Sequence, residues 1–275
     1  MAFFALFSTS LFLTVFCCGV WSGIMFSLPW SVLQYAVLGA LFGFAGDIGL
    51  IWAYRYSDIS LAYPMARALP VFFTMLVTAL FHWGKPLSPL AIIGMLIIFA
   101  GCICMSFSNS GNQMNLREKL HAMRKGLAGI MLAAVSTTGY TIVDSFGIKK
   151  IMEFAGCGNP ILTAATYSAN REITVTLLLW LSVLFCRWRN WEKGQLKSLI
   201  KSQHAYTAGF AAALAYLLVL VAMNYVSNVS FVQAFRQLSL PVSAALGFIL
   251  LKEKISALRL IALTMIMVGL IICVM

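Results

Sequence analysis

Six ionisable side chains fall inside the apolar runs of this 275-residue chain: Asp47, Arg67, Asp144, Arg171, Glu172 and Arg236. In hydrocarbon such groups are costly, and they are kept where they pair, bind a solute or carry protons. A pair of arginines can grip a carboxylate or phosphate through planar, bidentate forks. A carboxylate held away from water can load and release a proton. Arg67 and Arg236 are therefore candidates for anion recognition, and the competing reading has Asp47 and Asp144 neutralise them. Asp47, in GFAGDIGLIWAY, is mid-run and is the candidate coupling carboxylate. Asp144, in STTGYTIVDSF, joins it, although a place nearer the end of its run also suits a wetted residue. Arg171 and Glu172 are adjacent, and neighbours on a helix point about 100° apart. That predicts separate partners for the two, and suits a packing role as well as a functional one.

Around these charges stand Tyr63, Tyr140, Tyr216, Asn224, Gln233 and Gln237, the aromatic and polar groups that would complete a substrate site. Pro64, Pro70 and Pro241 each remove a backbone donor from their runs, which either frees carbonyls for a cavity or simply kinks a helix. Gly39, Gly43, Gly46 and Gly49 recur at helical spacing and are expected to let helices approach closely. No HExxH, GxSxG, Walker A or DDxxD pattern occurs, and His82, His121 and His204 are far apart. Seven cysteines, an odd number without a CxxC pair, read as small apolar side chains. The expectation is thus a protein that is not an enzyme, with no cofactor and no metal site. Asn228-Val229-Ser230 fits a glycosylation sequon but lies in a short turn at the end of a run, and is discounted.

The elements that position these residues follow from composition. Apolar residues make up 61% of the chain and charged ones 10%, with mean hydropathy +0.92. Soluble domains hold about 25% charge, so a soluble globular domain is excluded, and lipid is the solvent that fits. A helix needs about 20 apolar residues to cross the bilayer. Nine runs qualify: 3–26, 31–54, 59–82, 88–107, 126–148, 161–185, 205–225, 229–251 and 257–275. The first has no preceding Lys or Arg and no A-x-A site, which reads as a span rather than a signal peptide. The longest connections, 108–125 and 186–204, carry most of the charge and suit interfacial helical turns.

Net charge +11 would suggest a nucleic-acid partner in a soluble protein. In a membrane chain, Lys and Arg instead mark cytoplasmic loops. Thirteen of them fall on the face reached after the even-numbered spans and three on the other, which puts the N-terminus inside, the C-terminus outside, and predicts no nucleic-acid partner.

The sequence also repeats itself. AYRYSDISLAYPMARALPV (53–71) parallels AMNYVSNVSFVQAFRQLSLPV (222–242), with Ala53/Ala222, Tyr56/Tyr225 and Arg67/Arg236 matching at a shift of 169. Ser88 and Gly101 match Ser256 and Gly269 at 168. The matched segments end the second and seventh spans, and five spans is an odd number, so the copies cross the membrane in opposite senses, as inverted-repeat transporters do. The organisation read from this is a first repeat over 1–107 with four helices, a linker over 108–125, and a second repeat over 126–275 with five.

A helix ending in AYRYSDISLAYPMARALP, then a Lys-bearing turn and an apolar Gly-containing helix, the whole occurring twice, resembles the EamA-like members of the drug/metabolite transporter superfamily. The resemblance implies an all-α polytopic bundle of two inverted five-helix repeats, here nine helices with the first lacking, around a central cavity lined from both halves. It also implies a secondary transporter or exporter of small polar metabolites in the plasma (inner) membrane, working by alternating access, with proton coupling as an option. The lacking helix would leave the cavity open on one side, to be filled by an upstream extension or by a homo- or hetero-oligomeric partner. Alternative expectations are a lipid or lipid-linked-sugar flippase and a non-transporting membrane scaffold.

Overall fold

The computed structural model describes residues 1–57, 59–108, 116–156, 158–188, 195–251 and 256–275. These are α-helical nearly throughout, with no strand among the described residues. The helices are α1 (Ala2–Val20), α2 (Trp30–Tyr56), α3 (Ile59–Leu80), α4 (Pro89–Ser108), α5 (Leu116–Ala155), α6 (Pro160–Trp188), α7 (Gln195–Lys201), α8 (Gln203–Tyr225), α9 (Val229–Phe235), α10 (Ser239–Leu251) and α11 (Ala257–Val274). Eight of them contain a stretch long and apolar enough to cross a membrane: α1 to α6, α8 and α11. This is a multi-pass membrane protein.

The starts of these helices are written locally. Ser88 accepts from Ala91 N (3.1 Å) and Asn159 from Ile161 N (2.9 Å), each followed by a proline at the first helical position, where a missing N–H costs nothing. Asn228 caps α9 by accepting from Ser230 N, and Ser256 caps α11. Within the 186–204 connection, α7 is the helical turn expected there, while 109–115 of the first linker and 189–194 of the second lie outside the described residues, as does Cys157.

The eighth expected span departs from its reading. Residues 229–251 do not form one helix: α9 stops at Phe235, a 3₁₀ turn runs over Arg236–Leu238, and α10 begins at Ser239. Pro241 contributes to the break, because it cannot donate to the Gln237 carbonyl four residues back and its ring crowds that carbonyl. The fifth span also differs. It continues past Ile148 to Ala155, so Asp144 is well inside α5 and not near an end.

Two compact units can be recognised. The first comprises Met1–Asp47 and Gly139–Tyr225, the second Ile48–Thr138 and Val226–Met275. In the first, α1 packs along α6 and α8. Ser8 and Thr176 share a hydroxyl hydrogen bond of 2.7 Å, and Trp180 donates to Thr9 at 2.9 Å. Leu11, Val15, Ala169 and Ala213 form one apolar cluster, Ala40, Val175 and Leu179 another. In the second unit α4 packs along α11, and both lie on α3 or its neighbours. A Cβ on Gly94 would sit 2.7 Å from the Gly269 carbonyl, and one on Gly269 would sit 2.7 Å from that of Gly94, so the two backbones touch where neither residue has a side chain. Met95, Ile98, Cys102, Ile266 and Leu270 fill the seam. Outward positions such as Leu177, Leu181 and Leu184 on α6 are exposed and apolar, while Thr163, Ser168, Arg171 and Glu172 of the same helix are buried. Apolar outside and polar inside is the arrangement that lipid imposes.

Candidate functional site

The polar interior of the first unit is organised by α6. Tyr167 and Arg171 are four residues apart and so share a face, and both point at Asp144 of α5. Tyr167 donates its hydroxyl to Asp144 Oδ1 at 2.8 Å, Tyr216 of α8 donates to Oδ2 at 2.5 Å, and Arg171 Nε stands 3.1 Å from Oδ2. The last is a charge contact, since the Nε hydrogen is not aligned for a hydrogen bond. Arg171 Nη1 also donates to Glu172. Adjacent positions were expected to find separate partners. The arginine side chain is long enough to reach Asp144 with its Nε and turn its end back to Glu172, so one guanidinium serves both carboxylates.

Asp144 is fully buried, with 0% exposure, and Arg171 and Glu172 expose 6% and 3%. The guanidinium lies 5.0 Å from the ring centroid of Tyr140 and 5.2 Å from that of Tyr216, and the two rings meet edge to face. Both contacts are within cation–π range. The α2 helix leaves room for this assembly. A Cβ on Gly39 would fall 2.3 Å from Asp144 Oδ1, and one on Gly43 would fall 2.8 Å from Arg171 Nη2. These two glycines were expected to serve helix contact, and here they admit buried side chains. Gly49, in the second unit, does bring backbones together, against Gly129 and Ala133. Asp47, one turn beyond Gly43, is half-buried and within electrostatic reach of Glu172 and Arg171.

The second unit holds the other expected residues. Arg67 Nη1 donates to Ser239 Oγ (2.9 Å) and, at 3.4 Å, to the Arg236 carbonyl, at the 3₁₀ turn itself. Gln237 Nε2 returns a bond to the Arg67 carbonyl (3.3 Å), and Arg236 Nη1 donates to Gln233 Oε1 (3.2 Å). Tyr63 stands against the Arg67 guanidinium at 5.1 Å. Gln233 and Gln237 are buried.

The ten expected site residues thus form two groups. Asp47, Asp144, Tyr140 and Tyr216 join Arg171 and Glu172, with Asn224 half-buried in the same unit. Arg67, Arg236, Tyr63, Gln233 and Gln237 gather at the break between α9 and α10. The cation that Asp144 holds is Arg171. Tyr167 is the buried ligand of Asp144 that the sequence reading missed, and its spacing of four from Arg171 was the available signal. Asn228 spends its amide inside the fold, capping α9 and donating to the Lys85 carbonyl at 3.0 Å, which agrees with discounting the sequon.

No family model and no curated protein matches the sequence. Among solved structures, the crystal structure of another protein matches with a TM-score of 0.65 over 99% of this chain and 86% of its own, at 17% identity. The chain shares that fold. At such identity the likeness speaks of architecture alone, and chemistry has to be argued from the side chains.

Proposed function

We propose that this protein is a secondary transporter of small polar metabolites, working by alternating access and coupled to protons, built as an inverted repeat of the EamA-like kind in the plasma (inner) membrane. The observation that carries the reading is the buried constellation of Asp144, Arg171 and Glu172 with Asp47 beside it, inside helices able to cross a membrane. Three carboxylates facing one guanidinium are two negative charges in excess when all are ionised. A low-dielectric interior does not tolerate that excess, so protons or a cationic solute must come and go with the charge state.

The repeat is supported by which elements pack. In the 168 to 169 register α1 corresponds to α6 and α4 to α11, and these are the pairs that lie against each other. Ser8 and Thr176, bonded to one another, are 168 apart, and Arg67 and Arg236, linked through the Arg236 carbonyl, are 169 apart. Contacts between equivalent residues are what a two-fold axis between copies produces. The broken helix at Arg236 supports a solute pathway in the same sense, since discontinuous helices recur at transporter binding sites.

The test is flux in proteoliposomes against a panel of amino acids, nucleosides, sugars and cationic drugs. At least one solute should accumulate against its gradient when a pH gradient is imposed. Asp47→Asn should abolish that accumulation and leave solute exchange. If well-folded protein moves nothing in the panel, the transporter reading is withdrawn.

A further inference from the structure

Arg67 differs from Arg171 in its company. Arg171 contacts two carboxylates, Asp144 and Glu172. Arg67 contacts none among the described residues: its partners are the Ser239 hydroxyl, the Arg236 carbonyl and the ring of Tyr63, all neutral. The spans of the second unit have no acid to offer either. The apolar runs within 48–138 and 226–275 contain no Asp or Glu, although Arg67 and Arg236 both sit inside them. A guanidinium held in a membrane span without a counter-charge is costly, and it is retained where something anionic comes to it.

The hydrogen bonds of Arg67 fix which part of it is left for that anion. Nη1 carries two hydrogens and donates twice, to Ser239 Oγ at 2.9 Å and to the Arg236 carbonyl at 3.4 Å. Nε and Nη2 donate to nothing among the described residues, and neither is sealed inside the packing. These two nitrogens share one edge of the guanidinium and make the side-on fork that matches the two oxygens of a carboxylate. Tyr63 stands over the guanidinium at 5.1 Å, so an anion must approach along the edge. Tyr63 and Ser239 are exposed, and Tyr54 of α2 is within electrostatic reach of both Tyr63 and Arg67, which puts phenol rings beside the open edge. Arg67 is also deep. It lies eight residues beyond Ile59, about 12 Å along α3, whereas phospholipid headgroups stay at the rim of a hydrocarbon layer about 30 Å thick. We propose that the Nε–Nη2 edge of Arg67 binds the carboxylate of a small organic acid whose apolar body packs against Tyr63. The proposal names a class of solute and rests on the transporter reading for its movement alone, since binding at Arg67 requires no flux. Ser239 and the Arg236 carbonyl orient the fork through Nη1 and leave its other edge to the acid.

The experiment compares benzoate with benzamide, nearly the same shape without the charge. Binding to the purified full chain in phosphatidylcholine nanodiscs is followed by thermal shift and equilibrium dialysis. Benzoate should bind and raise Tm, and benzamide should do neither. Arg67→Lys keeps the charge and loses the fork, so benzoate affinity should fall by about ten-fold or more. Because Arg67 also closes the end of α9, Ser239→Ala serves as the control for stability. It removes a bond of Nη1 and leaves the edge intact, so Tm should fall while benzoate affinity changes little. Equal behaviour of benzoate and benzamide, undiminished binding by Arg67→Lys, or an equal loss of affinity in Ser239→Ala overturns the proposal. Nanodiscs of phosphatidylglycerol separate the two sources of an anion. Benzoate binding should persist in them; an Arg67-dependent rise in Tm that abolishes it assigns the edge to a lipid phosphate and overturns the proposal. The site and the transporter reading fail separately. Benzoate binding without flux of any solute retains the site and removes transport; pH-driven flux without benzoate binding does the reverse.

Discussion

Asp144 is heavily committed, holding two tyrosine hydroxyls and a guanidinium while fully buried. Removing its charge takes away the carboxylate at Arg171 Nε and leaves both tyrosine hydroxyls facing a neutral amide, in a medium that cannot solvate what is freed. Asp144→Asn should therefore destabilise the protein by about 3–5 kcal/mol, read as a fall in Tm in detergent. Tyr216→Phe deletes one hydrogen bond to a charged acceptor and keeps the ring beside Arg171, so a smaller loss of about 1.5–3 kcal/mol is expected. If Tyr216→Phe proves as damaging as Asp144→Asn, the ion contact is not the main support of the cluster. Much of this was legible in the sequence, because six charges in apolar runs announce themselves. What was not legible was pairing. Asp144 looked terminal because hydropathy falls at Lys149 and Lys150, yet the backbone stays helical to Ala155. Arg171 and Glu172 looked divergent because helical angle was counted and side-chain reach was not.

At the level of elements, hydropathy reads nine runs as helices and cannot see a break in one of them, 229–251, that stays apolar throughout. Backbone geometry decides that, and proline alone does not: α3 contains Pro64 and Pro70 and remains continuous, whereas the helix through Pro241 divides. The difference lies in what receives the exposed groups. At the division, Arg67 donates to the Arg236 carbonyl and to Ser239, and Gln237 donates back to the Arg67 carbonyl. Arg67 and Arg236 were singled out as an anion fork, and in the structure Arg67 also closes the end of α9. Arg67→Lys keeps the charge and loses the fork, so it should cost about 1–2 kcal/mol in Tm-derived stability, and it should weaken transport of anionic solutes if the fork faces solute. Pro241→Ala restores an N–H that can reach the Gln237 carbonyl, which favours a continuous helix. Amides of residues 236–241 should then exchange more slowly with deuterium than in the parent protein. Unchanged exchange there would mean that Arg67, and not the proline, maintains the break.

Across the whole molecule, the reading of the sequence expects a division into 1–107 and 126–275, while the compact units draw on distant stretches, 1–47 with 139–225 and 48–138 with 226–275. Pairing at long sequence separation is invisible to any window along a chain, and only the self-similarity at 168 to 169 hinted at it. Orientation, by contrast, is carried by loop charge. Of the Lys and Arg outside the spans, thirteen fall on the face bearing Arg55, Lys201 and Arg259, and three on the face bearing Lys85, Lys149 and Lys150. Cytoplasmic loops retain Lys and Arg because moving them across the bilayer during insertion is costly, and an imbalance of this size normally dominates the choice. The turn around Lys85 should therefore face outward and α7 inward. In a background with the native cysteines replaced, Lys85→Cys should react with a membrane-impermeant maleimide on intact cells, and Lys201→Cys only after permeabilisation. Lys85 is suited to this because its side chain is exposed, while the turn is fixed by backbone bonding of Lys85 N to the Ser227 carbonyl at 3.0 Å. The opposite labelling pattern would invert the protein in the membrane.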